Sequence, residues 1–167
     1  MVKTFNIPAN AHYSDGWHFR IFLGLTQIHF RARLHESCLY TPIENPGQIN
    51  KLFGLAFGRH HNSSGRVGWR SDGKQIELLS YVYTDKNIRI WRSFGNFDAN
   101  QWHEFIIRRD KHNLSIELIG GTKHHFHLVN PMPWGYWLFP YFGGKIPAPH
   151  EMMVDVEVLK CDGRERG

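Results

Sequence analysis

Apolar and polar residues alternate with a period of two along most of the chain. Nowhere does the period of 3.6 persist over about a dozen residues free of Gly and Pro, as an amphipathic helix requires. Within residues 27–35, Ile28, Phe30, Ala32 and Leu34 share one face and polar side chains take the other. The same pattern predicts strands over residues 19–23, 51–57, 75–83, 88–91, 102–109, 114–119 and 124–129, and through the alternating Met152, Val154, Val156 and Val158. Turn-forming stretches separate them at residues 42–46, 84–87 and 110–113 and at Gly120-Gly121. Short strands with turns every eight to twelve residues or so describe an all-β chain, a sandwich or barrel.

Length adds that one domain is expected. The 167 residues fit a single β-sandwich over 1–161, with the basic segment 162–167 expected to fray. Ordinary apolar and charged fractions, 41% and 21%, exclude wholesale disorder. No stretch approaches the ~20 apolar residues of a membrane span, so no membrane insertion is expected. Residues 1–10 carry no apolar run of the signal-peptide kind. The expected location is cytoplasmic, or extracellular or periplasmic if a signal peptide has been removed. Cys38 and Cys161 read first as two buried thiols. A disulfide between them is the alternative, because the first and last strands of a sandwich are often neighbours.

Two sets of residues carry resemblances. Asn100-Gln101-Trp102-His103-Glu104-Phe105-Ile106-Ile107-Arg108-Arg109, followed by Leu114-Ser115-Ile116-Glu117-Leu118, resembles the W-H-x-x-x-x-x-R…L-x-L-x-V segment of laminin-G and concanavalin A-like domains. Leu138-Phe139-Pro140-Tyr141-Phe142-Gly143-Gly144 and the strand from Val154 to Val158 resemble the way such domains end. This likeness covers about the last 70 residues and implies an antiparallel two-sheet jelly roll, with no particular activity. Lys51-Leu52-Phe53-Gly54, His60-His61-Asn62-Ser63-Ser64, Gly68-Trp69-Arg70 and the stretch from Pro140 to His150 also resemble an uncharacterised bacterial β-sandwich family. That second resemblance spans most of the chain and implies a shape without an activity.

Charge and aromatic content narrow the chemistry. Net charge is +5 and the sequence pI about 9.4, which favours anionic partners. Arg and Lys are scattered and interrupted by acids, unlike the basic stripe of a nucleic-acid binder. The chain has no G-x-S-x-G, P-loop, G-x-G-x-x-G, C-x-x-C or H-E-x-x-H motif, and no paired carboxylates at the spacing of a retaining jelly-roll glycosidase. What it has instead is 14% aromatics and 12 His.

Four constellations stand out. Gly58 to Arg66, leading into Gly68-Trp69-Arg70, reads as a polar loop whose His60, His61, Asn62, Arg66 and Arg70 would hold carboxylates or sugar hydroxyls. Residues 145–151 form a proline-stiffened loop that fixes His150 near Tyr141. Alternation sets Glu77, Tyr81 and Tyr83 opposite the apolar face of Ile76 to Val82, where phenols would stack on sugar rings. His125 and His127 share a strand face at a metal-compatible spacing, but Gly-Gly turn histidines more often serve the surface, and no cofactor is expected.

These features support three functions. The leading expectation is a carbohydrate-binding jelly-roll module for acidic glycans. The alternative is a polysaccharide lyase cleaving a uronate polymer by β-elimination, with Arg66 or Arg70 and Asn62 neutralising the carboxylate. His60 or His150 would then be the base and Tyr81 or Tyr141 the acid. The third is a structural or adhesion sandwich working through an aromatic surface.

Overall fold

The computed structural model describes residues 1–16, 19–42 and 47–165. His18 and most of the turn expected at 42–46 lie outside the described residues. The alternating segments form β1 (Lys3–Ile7), β2 (Ile21–Leu34), β3 (Asn50–Ala56), β4 (Ser64–Ser71), β5 (Ile76–Asp85) and β6 (Ile88–Phe97). They continue as β7 (Trp102–Asp110), β8 (Asn113–Leu118), β9 (Lys123–His127), β10 (Trp134–Leu138) and β11 (Met152–Glu165). One 3-10 turn, Glu36–Cys38, is the helical element among the described residues.

All pairings are antiparallel. β6-β5-β4-β3-β10 forms one layer. The first residues of β2 pair with β10, and β2 then crosses into a second layer with β7-β8-β9 on one side and β11-β1 on the other. β2 therefore joins what alternation divides into two strands, passing through Gly24 at φ +69°, a conformation that favours glycine.

The apolar faces of the two layers meet in one core. Phe30 packs on Phe53 and Phe105 with ring centroids 4.9 and 5.4 Å apart. Trp69 is fully buried against Tyr40 and Phe142. A Cβ at Gly65 would come within 2.6 Å of Leu114, so glycine is what lets β4 approach β8 this closely. Where the layers meet at β5 and β9, the buried Ser80 hydroxyl bonds His124 Nδ1 at 2.8 Å.

Several expectations change. The segment expected to fray from Asp162 onward instead continues β11 to Glu165, opposite Gln27 to Phe22 of β2. Residues 64–71 are not loop but β4, and β1 and β10 are strands that the alternation did not signal. Both cysteines are thiols, so no Cys38–Cys161 bridge forms. Cys38 is buried, with its Sγ donating to the Met153 carbonyl at 3.2 Å.

One irregularity matters for the site. The β3–β4 register slips between Lys51 and Phe53, so Leu52 and Phe53 both turn into the core. This β-bulge puts Lys51 on the same outer face as Gly54 and Ala56.

Candidate functional site

The outer face of the β6-β5-β4-β3 layer collects the chemistry. Register sets Trp91, Tyr81, Arg66 and Gly54 in one row across four strands. The next row holds Arg89, Tyr83, Ser64, Ala56 and, on β10, Tyr136. On the other side of the first row, Leu79, Gly68 and Lys51 line up, and Lys51 pairs with Tyr141 through two backbone hydrogen bonds of 2.8 and 2.9 Å. Glycines open the floor between these side chains. A Cβ at Gly68 would lie 2.7 Å from Ile49, and one at Gly54 would lie 2.4 Å from the Arg66 Cβ. A cleft of about 180 Å³ results beside Gln48, Lys51, Tyr81, Arg89, Trp91 and Lys145.

Its electrostatics are one-sided. Arg66 is 7% exposed and its Nε has no hydrogen-bond partner. Burial pulls its pKa down to about 10, against an upward pull from Tyr81, Tyr83 and Tyr136. The Lys51 ammonium donates to the Gly143 carbonyl at 2.7 Å and sits 5.2 Å from the Tyr81 ring centre and 5.8 Å from that of Tyr141. Burial, then Arg66 and Arg89, lower the Lys51 pKa to about 8. Arg89 donates to the Tyr81 hydroxyl at 3.2 Å. Burial first and then its hydrogen bond with Tyr83 push the Tyr81 phenol up, keeping it protonated at neutral pH. Among the described residues, no ion pair includes Lys51, Arg66 or Arg89.

At one end stands the turn 58–63, which begins with Gly58 at φ +92° and closes through Asn62 and Ser63 N–H groups donating to the Arg59 carbonyl. It sets His60 Nδ1 2.6 Å from the Tyr136 hydroxyl. Burial, then His61 and Arg66, lower the His60 pKa to about 4, so its ring is neutral at pH 7. His61 lies edge-on to His60 and its ring is 5.2 Å from that of Tyr83.

Of the residues singled out by sequence, Arg66, Tyr81, Tyr83, His60 and His61 thus come together, with Tyr141 on the far side of Lys51. Tyr141 also stacks on His12 and meets Tyr13 edge-on, and burial raises its pKa. Two residues, Arg70 and His150, stand apart and correct the sequence reading. Arg70 shares the face of Arg66 but is four residues along β4, about 13 Å away at strand rise, and its guanidinium is bound to Glu77. His150 donates to the Ser37 carbonyl at 2.7 Å, beside the 3-10 turn, and does not reach the cleft. Asn62 lies in the same turn as His60 and His61, its backbone N–H donating to the Arg59 carbonyl.

Lys51, Arg89 and Tyr136 were missed. Arg89 was legible as the outward residue of the strand expected at 88–91. Lys51 was hidden by the bulge, and Tyr136 by the unrecognised β10. His125 and His127 are exposed on β9, the edge strand, and His127 stacks on His112. Among the described residues, no three His, Cys, Asp or Glu side chains converge as a metal site would need.

No family model and no curated relative matches the sequence. Solved structures match by fold. An alginate lyase from Pseudomonas aeruginosa superposes with a TM-score of 0.68 at 9% identity, covering 96% of this chain and 82% of that one. An alginate lyase from Klebsiella pneumoniae gives 0.65 at 7% identity over 84% of this chain, which spans only 60% of the enzyme. The family 7 alginate lyase A1-II', in complex with product, gives 0.63 at 8% identity, with 99% and 80% covered. The fold is therefore the antiparallel, concanavalin A-like jelly roll, as the resemblance implied.

Proposed function

We propose that the chain is a polysaccharide lyase that cleaves a uronate-containing polymer by β-elimination, with the outer-face cleft as its active site. The observation that carries this reading is the convergence of Lys51, Arg66 and Arg89 with Tyr81, Tyr83 and Tyr136. The reaction needs the uronate carboxylate neutralised, so that the C5–H becomes acidic enough to lose. Arg66 holds a buried charge that no carboxylate among the described residues neutralises, and a uronate carboxylate would complete it. The leaving oxygen at C4 needs a proton. Tyr81 is held protonated by burial, and the Arg89 guanidinium beside its hydroxyl stabilises the negative charge left on the phenolic oxygen as the proton departs. Trp91, exposed at the edge of the cleft, offers a ring face to a sugar.

The fold-level match to alginate lyases, one of them holding dimannuronate, supports an acidic polysaccharide as substrate. It reverses the order in which sequence alone ranked the functions. A non-catalytic carbohydrate module remains the second reading, since the same cations and rings would retain a polyuronate without cleaving it.

The two readings separate on product. Purified protein is incubated with polymannuronate, polyguluronate, pectate and hyaluronan while the absorbance of the unsaturated uronate is followed. A steady rise with at least one polymer, lost in Arg66→Met, is expected. Retention on these polymers with a flat trace on all of them would refute the lyase and leave the binding module.

A further inference from the structure

We propose that Lys51 is the base that removes the C5 proton, an assignment that rests on the lyase reading. Its position is built rather than incidental. Without the bulge between Lys51 and Phe53, residue 51 would share the core-facing side of β3 with Phe53 and Leu55. The extra residue re-aims it to the outer face, where bulges commonly direct functional side chains. Both backbone hydrogen bonds to Tyr141 then fix it. The carbonyl that holds its ammonium belongs to Gly143, at φ +75°, whose own N–H is held by the buried Asn50 at 2.8 Å. A Cβ at Gly143 would lie 2.3 Å from Gln48, so this turn admits only glycine.

The surroundings suit a base. Facing Lys51 are Arg66 from β4, Tyr81 from β5, Arg89 from β6, and Tyr141 and Lys145 from the segment after β10. None of these is a carboxylate. With burial first and then the two guanidiniums nearby lowering its pKa to about 8, a useful fraction of the amine is neutral under physiological conditions. His60, the sequence candidate for this role, is a far weaker base. Its pKa is about 4 and its Nδ1 is engaged by Tyr136.

In the step itself, the Lys51 Nζ lone pair takes the proton from C5. The C–H electrons become the C4=C5 double bond, and the C4–O bond breaks with its electrons on oxygen. That oxygen takes the Tyr81 phenolic proton, giving a new hydroxyl end and an unsaturated uronate. Proton transfer from the Lys51 ammonium back to the tyrosinate, through water, restores both groups.

The test begins with the pH dependence of kcat/KM on the best polyuronate. A limb rising with pH through about 8 is expected, because only neutral Lys51 is competent. Lys51→Arg keeps the charge but has no neutral form in that range. It should remain bound to a polyuronate column while kcat falls about 100-fold or more. Lys51→Ala, checked for native circular dichroism, should regain turnover with small primary amines, more with the more basic ones. A Lys51→Arg enzyme with wild-type kcat, or a wild-type profile flat from pH 7 to 9, would overturn Lys51 as base while leaving the lyase intact. Wild-type protein that releases no unsaturated product from any polyuronate would overturn both.

Discussion

Arg66→Met should make the free protein more stable while destroying its affinity for polyanions. Arg66 is 7% exposed, its Nε is unsatisfied, and no carboxylate among the described residues pairs with it. Holding this charge at a pKa of about 10, well below the ordinary arginine value, costs about 3 kcal/mol at neutral pH. Methionine removes the charge and fills most of the volume. The remaining void and lost contacts offset about 1–2 kcal/mol of that gain. A net stabilisation of about 1–2 kcal/mol follows, or about 3–6 °C in Tm for a chain of this size. Thermal and urea unfolding at pH 7 would measure it. The sign against pH is set by the folded pKa lying below the unfolded one. Above about pH 10 the unfolded chain binds more protons than the folded one, so wild-type stability rises with pH there and the advantage of Arg66→Met shrinks. Ligand inverts the order. A polyuronate at 100 times its Kd stabilises the wild type by about 2.7 kcal/mol and the variant hardly at all. If Arg66→Met instead loses more than about 1 kcal/mol without ligand, the charge is already compensated within the protein and is not held ready for an anion.

Two further outcomes test other parts of the molecule. The Lys51 amine lies 5.2 Å from the Tyr81 ring centre on one sheet face, so removal at C5 and protonation at the C4 oxygen are expected from one side of the sugar. Polymannuronate or a glucuronate polymer, with both bonds on the same ring side, should be cleaved, and activity confined to polyguluronate or pectate would break the pairing. Away from the cleft, burial pushes the Asp155 carboxyl up. Hydrogen bonds from Thr4 (2.7 Å), Arg33 (2.7 Å) and His35 (2.8 Å) outweigh that and hold it below its ordinary 3.8. A depressed carboxyl stabilises above its unfolded pKa, and that stability is lost as pH falls through the folded value. Asp155→Asn should cost about 3 kcal/mol at pH 7 and flatten the acid limb of the unfolding curve, and an unchanged limb would show that other carboxylates govern it.

What the sequence could and could not reveal follows from where its periodicity holds. β7 and β8 were legible because Phe105, Ile107, Leu114, Ile116 and Leu118 alternate without interruption and face one core. The outward placement of Tyr81 and Tyr83 was legible for the same reason, since β5 is regular across the core-facing positions Ile76 to Val82. β4 was not, because Gly65 and Gly68 read as turn residues. In the fold neither makes a turn. Gly65 admits Leu114 from the opposite layer, and Gly68 admits Ile49 and clears the cleft floor. Arg66 was thus found as a candidate but placed on a loop, and Arg70 was grouped with it although four strand positions separate them. Lys51 was out of reach altogether. Strict alternation assigns it to the core face, and the slip that turns it outward is a matter of backbone register, held beside Asn50 and against Tyr141 and Gly143, which are 90 or more residues away. Local pattern fails here because tertiary constraints overrule it, as is expected where a fold spends regularity on chemistry. On that ground the break in β3 is itself an argument for the site. An all-apolar strand would have packed without the bulge, and the one residue the bulge turns outward is the lysine beside Tyr81.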